Sequence, residues 1–299
     1  MSSLTGEFAG LATAICWTAT AMSFQVASRR IGSVSVNLIR LVLAFVFYLI
    51  YSKIFLNHWL PLDAPLEAWI YLSISGLIGF VLGDFFLFKS YEFISSKISM
   101  LIMTLAPPVA ALLGWFMLGE LFSWMNALGM GLVLGGVSLV VLKKDISNGT
   151  KTMRYPIKGI LFALLGAIGQ GVGAVFSKKG MGNYDPFASS QIRVITGILG
   201  FAILITLMKK WGMVNKGVRD KKASRALLIG SFFGPFLGVS LGMIAFKYTS
   251  LGIASTLMAT VPVFILLPSH LILKERLTLN EVFGAFLAVL GIIVFFLKV

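Results

Sequence analysis

Acidic residues, histidines and cysteines are scarce in this sequence. Of its 299 residues, 11 are Asp or Glu, two are His and one, Cys16, is Cys. A lone cysteine forms no intrachain disulfide. Two distant histidines, one thiol and a thin scatter of carboxylates offer neither a ligand set for a metal centre nor an acid–base or nucleophilic constellation. The reading is therefore no enzyme, no metal and no cofactor. No G-x-x-x-x-G-K-[ST] run is present to cradle the phosphates of ATP, so nucleotide-driven chemistry has no site. Polar stretches long enough for a soluble domain are also missing.

Apolar sequence fills the chain instead. Hydrophobic residues make up 58% and charged residues 12%, with a mean hydropathy of +0.94, far from the balance of a water-soluble domain. A bilayer core about 30 Å thick needs roughly 20 apolar residues per helix. Runs of that length are expected at 5–27, 34–52, 67–88, 94–117, 123–142, 157–178, 187–208, 225–247, 251–272 and 279–298. The fold class that follows is an all-α integral membrane protein of ten transmembrane helices. The first run lacks a preceding Lys or Arg and a small-residue cleavage site, and Glu7 stands at its mouth, so it reads as a retained helix rather than a secretion signal.

A net charge of +14 suggests nucleic acid in a soluble protein; here the basic residues fall in the connections, where they report topology. Five, Lys53, Lys178, Lys179, Lys247 and Lys298, lie on the side of the N-terminus, and eighteen lie on the other. The excess places loops 5–6 and 7–8 in the cytoplasm and both termini outside, with no nucleic-acid partner. The sequon Asn148-Gly149-Thr150 then sits in a cytoplasmic loop and reads as chance.

The second half of the chain repeats the first. At one offset Gly6 falls on Gly159, Ala27 on Gly180 and Arg40 on Arg193; at a nearby offset Ile98 falls on Ile253, Pro107 on Pro262, Glu120 on Glu275, Gly129 on Gly284, Gly136 on Gly291 and Lys143 on Lys298. Two units, 1–146 and 147–299, are expected. Five helices per unit is an odd number, so the copies enter the bilayer with opposite polarity. An inverted pair of this kind can exchange conformations between its halves and open a central cavity to either side in turn, which is the physical case for a transporter.

Pro107 within a helix, Gly119-Glu120 at its end, Gly129 and Gly136, and then Pro262, Glu275, Gly284 and Gly291, resemble the EamA family of the drug/metabolite transporter superfamily. Lys274 stands where the second unit would carry Gly, and Pro108 has no counterpart beside Pro262. The resemblance implies a ten-helix carrier, often an exporter of amino acids or other metabolites and usually in the bacterial inner membrane. It leaves the cargo open, since relatives act on nucleotide sugars, sugar phosphates and lipid-linked groups.

Charges within a bilayer are costly and mark functional or paired groups. Arg40 and Asp84 are expected to pair, as a structural tie or as a gate or coupling site, with a desolvated Asp84 a candidate proton carrier. Met243 is placed opposite Asp84 in the second half. Arg193, with Glu7, Asp185 or Gln191 as partners, is a candidate anchor for a carboxylate or phosphate on the cargo. Thr13, Trp17, Thr20 and Phe24 share one face of the first span, and Gly166, Gln170, Gly173 and Ser177 one face of the sixth. Thr13, Trp17, Thr20, Gln170, Arg193 and His270 are the candidate substrate-binding residues; plain helix–helix packing explains the same faces. Gly230, Gly234, Gly238 and Gly242, echoed by Gly76, Gly79 and Gly83, read as packing residues. Pro107, Pro108 and Pro262 are expected to kink their helices and free carbonyls toward a cavity.

The function expected is secondary transport of a small polar metabolite, with lipid and a small-molecule substrate as partners and protons as a coupling ion. The alternatives are a carrier or flippase for a phosphorylated or lipid-linked substrate, and a non-transporting receptor.

Overall fold

A computed structural model describes residues 3–118, 123–142, 144–147, 150–153, 155–248, 254 and 257–296. The repeat pairs involving Glu120, Lys143, Ile253 and Lys298, together with Gly119, Asn148 and Gly149, lie outside the described residues. Helices α1 (Ser3–Ile31) and α2 (Ser33–Phe55) are joined by Gly32 alone. Gly32 has φ 78°, a left-handed conformation that a Cβ would strain, so one residue turns the chain where a short loop is expected from the sequence. The extra turn of α1 keeps its basic end satisfied: Arg29 donates to the Tyr91 carbonyl at 3.1 Å, and Arg30 pairs with Asp220 at 2.9 Å. The Arg30 guanidinium holds the Asp220 carboxyl below the usual carboxylate range.

The chain continues through α3 (Leu66–Ser90), α4 (Ser96–Met103), α5 (Ala106–Leu118) and α6 (Trp124–Val141). After a connection come α7 (Ile157–Met181), α8 (Pro186–Leu207) and the short α9 (Trp211–Arg219), then α10 (Lys221–Tyr248), α11 (Val261–Phe264), α12 (Leu266–Leu271) and α13 (Leu279–Phe296). Among the described residues, six helices are long and apolar enough to cross a membrane: α2, α3, α6, α7, α8 and α10. Shorter apolar helices cover 96–110, 261–271 and 279–295.

Two elements depart from the sequence reading. The connection between the halves holds an antiparallel ribbon, β1 (Lys144–Ser147) on β2 (Thr150–Met153), so among the described residues the fold is helical apart from these strands. Asn-Gly, the dipeptide between them, is a strong hairpin signal that the helical reading passed over. The basic loop after α8 contains α9, which buries Val214 and Gly217 and exposes Trp211, Met213 and Val218. Apolar residues at three- and four-residue spacing among lysines are the mark of a helix lying along a membrane interface.

The prolines interrupt their helices. Pro107 and Pro108 have no N–H to return to the carbonyls one turn earlier, and the chain between α4 and α5 tightens instead, with Leu105 N donating to Ile102 O at 3.1 Å. Pro262 stands at the start of α11, just after a similar break at 259–260. Inside α3 the segment Gly76–Gly83 is π-helical, and so is Phe232–Gly238 around Pro235 inside α10. Gly83 and Gly238, which end the two π segments, are as far apart in sequence as Pro107 and Pro262. This register sets Val239, rather than Met243, opposite Asp84.

Close backbone approach holds the helices together. Between α6 and α13, a Cβ on Gly136 would lie 2.6 Å from the Gly284 carbonyl oxygen, and one on Gly291 would lie 2.8 Å from that of Gly129. The repeat exchanges these contacts, Gly136 with Gly291 and Gly284 with Gly129, as a two-fold axis between the helices requires. A second pair of seams obeys the same exchange. On α3 and α7, a Cβ on Gly173 would meet the Gly79 Cα at 2.9 Å; on α10 and α1, one on Gly234 would meet the Thr20 methyl at 2.6 Å.

Gly136→Ala is expected to cost about 1–3 kcal/mol by overpacking this crossing. Gly131, five residues earlier with nothing within 4 Å of its Cβ position, should accept alanine with no loss. Thermal unfolding of both variants in detergent measures the difference, and equal melting temperatures would contradict the seam.

Candidate functional site

A cavity of about 700 Å³ lies at the centre of the molecule, bounded by α1, α2, α3, α4, α5, α7, α8, α10 and α11. Its walls are largely aromatic and aliphatic. Trp17 and Thr20 line it from α1, Arg40 from α2, Phe80 and Asp84 from α3, Gln170 from α7, Arg193 from α8 and Val239 from α10. Pro107 and Pro262, the repeat mates in the broken helices, both face it. Pro108 is buried but is not among the lining residues.

The charged centre forms on one side of the cavity. Arg40 and Asp84 pair at 2.5 Å. Asn37 accepts from Arg40 Nε at 3.1 Å and donates to the Asp84 backbone carbonyl at 3.4 Å. The other carboxylate oxygen of Asp84 accepts from Gln170, whose amide also donates to the Gly79 carbonyl at 3.2 Å. Asp84 is thus held by a cation from its own half and an amide from the other.

Arg193 approaches the same place from α8. Its guanidinium lies 4.5 Å from the centroid of Phe80, whose ring also lies 5.5 Å from the Arg40 guanidinium. The two repeat-related arginines therefore both approach one aromatic ring. Arg193 is 7% exposed, and its Nε has no hydrogen-bond partner. The partners expected from sequence are occupied elsewhere: Asp185 caps α8 through Phe187 N and Ala188 N, both at 2.9 Å, and Gln191 bonds Ser52 at 3.0 Å and the Trp59 carbonyl at 2.9 Å. Glu7 makes no bond to it among the described residues.

Two further candidates lie away from the cavity. Thr13 is fully buried, donates to the Ala9 carbonyl at 2.8 Å, and packs on Gly242; it serves the α1–α10 seam. His270 is exposed, its ring Nδ1 3.0 Å from the Glu275 carbonyl oxygen. Thr20 and Trp17 do both jobs, filling the seam against Gly234 and Gly238 while lining the cavity.

The cavity is open at one end and sealed at the other. Lys178 and Lys179, both exposed, line it toward the end of α7. Beyond Pro262 the opposite end is packed by a polar network. Gln25 donates to Glu275 at 2.9 Å and accepts from Ser96 N. Lys97 donates to Glu281 at 3.0 Å and to the Arg276 carbonyl at 2.6 Å, and Tyr155 donates to Glu281 at 2.6 Å. The network ties α1, α4, the start of α7 and the approach to α13. The sequence reading missed it because Lys97 and Glu281 stand at the first turns of apolar runs and look like loop charges. Phe80 was missed for a different reason: among 25 phenylalanines, nothing in the sequence singles it out.

Asp84→Ala leaves the Arg40 guanidinium buried without its counter-charge and is expected to cost about 3–5 kcal/mol. Replacing both, as Arg40→Met with Asp84→Leu, should cost clearly less, because no charge remains to be desolvated. Unfolding of the three proteins in mixed micelles tests this; a double variant as unstable as the single one would remove the pair from the account.

Comparison with known proteins agrees with this architecture. One solved protein crystal structure superposes with a TM-score of 0.68 at 17% identity, covering 97% of this chain and 94% of that one, a likeness of fold. An uncharacterized transporter from Archaeoglobus fulgidus is 32% identical over 96 residues, and the chain spans about a third of that relative's length (34%). The model of the EamA-like transporter family matches residues 4–142 and again 157–297. With both stretches matched, and with exchange-related glycine crossings around a central cavity, the chain belongs to the EamA-like transporter family.

Proposed function

We propose that this protein is a secondary transporter that exports a small polar metabolite, such as an amino acid, by alternating access between two inverted five-helix units, 1–146 and 147–299. The single observation that carries the reading is the central cavity: both repeat-related arginines converge on it, one end reaches exposed lysines, and the other is sealed by a buried polar network. A wall shared by two such units can open to one face as it closes to the other. The broken helices at Pro107 and Pro262 and the π segments at Gly76–Gly83 and Phe232–Gly238 supply places where the backbone can bend. With ten crossings, the excess of Lys and Arg supports an orientation in which the connections at about 143–156 and 209–224 face the cytoplasm of a bacterial inner membrane. The open end, with Lys178 and Lys179, then faces outward. Asp84, shared between the halves by Arg40 and Gln170, is the group through which a proton would couple to the motion.

Proteoliposomes holding the purified chain test the reading with a panel of radiolabelled amino acids and related metabolites, with and without an imposed pH gradient. The expected result is saturable uptake, stimulated by the gradient and lost in Asp84→Asn. Gradient-independent exchange that survives this substitution would keep the carrier and remove proton coupling through Asp84. Absence of any flux would overturn the carrier reading.

A further inference from the structure

The charges around the cavity do not balance, and the imbalance selects a cargo. Among the described residues, Asp84 is the one acid in the lining, against Arg40 and Arg193 deep inside and Lys178 and Lys179 at the mouth. Asp84 is already committed: Arg40 takes one carboxylate oxygen at 2.5 Å and Gln170 the other. That leaves one buried guanidinium, Arg193, with its Nε unbonded and its face on Phe80. A cation so placed is expensive in hydrocarbon unless an anion joins it.

We infer that the cavity binds a monoanion with an apolar, ring-sized body, an aryl or branched carboxylate, whose carboxylate meets Arg193 and whose body lies among the aromatic walls. This rests on the carrier reading and replaces its amino-acid example with a carboxylate that carries no ammonium group. A guanidinium edge offers a carboxylate two parallel N–H donors, and one negative charge neutralises the excess that Asp84 leaves. An added ammonium group, as on a free amino acid, finds no uncommitted carboxylate in the described lining, since Asp84 is held by Arg40 and Gln170. Two guanidinium groups would also repel it. The lysines at the mouth add a field that draws anions in.

The test uses the full chain in lipid nanodiscs and isothermal calorimetry with four probes of one skeleton: 3-phenylpropanoate, L-phenylalanine, phenethylamine and 3-phenylpropanamide. Loss of a charge-assisted bond changes affinity by at least about tenfold. The acid should therefore bind at least about tenfold tighter than each of the other three, and lose about tenfold in Arg193→Gln with part restored in Arg193→Lys. Equal or tighter binding of L-phenylalanine or the amine overturns the inference, as does an amide that matches the acid, binding by none of the four, or an Arg193→Gln protein that binds the acid undiminished. The probe comparison on the unaltered chain decides the matter even if the variants fail to fold. Binding is read without flux. Vesicles that move nothing while the acid binds through Arg193 would overturn the carrier reading alone; amino-acid flux with no preference for the acid would overturn this inference alone.

Discussion

Between two helices in lipid there is no hydrophobic force to be gained, because hydrocarbon tails solvate leucine as well as another leucine does. Cohesion has to come from contact at short range, and contact at short range needs backbones without side chains between them. The crossings of α6 with α13, α3 with α7 and α1 with α10 meet that need at Gly136, Gly79 and Gly234. Everything else in the molecule is placed by these lines. Trp17 is too large to be swallowed by its seam, and Gln170 reaches out from the edge of its own; both project to the centre, so the residues that pack the helices also become the wall of the cavity.

Symmetry gives the centre two arginines, and departure from symmetry gives it one acid. Arg40 and Arg193 occupy equivalent positions, yet only one receives a carboxylate, because the position that matches Asp84 in the π-helical register is Val239. The two halves thus supply the same scaffold with different electrostatics. A symmetric site would be electrically alike in either orientation of the halves. This one has a side of its own, where Phe80 lies against one guanidinium bonded to a carboxylate and a second whose Nε has no hydrogen bond.

Much of this was legible in the sequence because membranes simplify the code. Apolar runs report helices directly, and the repeat of Pro107 at Pro262 and of Gly129 at Gly284 carried the two-unit organisation. The Arg40–Asp84 contact was also readable, since two opposite charges in neighbouring apolar runs have few other ways to be buried. Arg193 was placed against the wrong partners: proximity in sequence favoured Asp185 and Gln191, but the first is consumed by helix capping and the second by Ser52. Thr13 and His270 looked polar enough to bind cargo, but Thr13 is satisfied by the Ala9 carbonyl one turn back and the His270 ring lies beside the Glu275 carbonyl beyond its own helix. The sealing network was hidden because its members come from four distant stretches of chain. The ribbon and α9 were hidden because both lie in connections, where a hydropathy window averages away short periodicities.

Gly32 links the first two helices without slack. A loop of several residues absorbs displacement; a single residue transmits it. Rotation about its two dihedrals can change the angle between α1 and α2, but the separation of their ends is set by bond lengths. The first helix, whose face forms the α10 seam and whose end at Gln25 belongs to the sealing network, is therefore geared to the second, which carries Arg40. Tilting one end of this linkage moves a charge at the other.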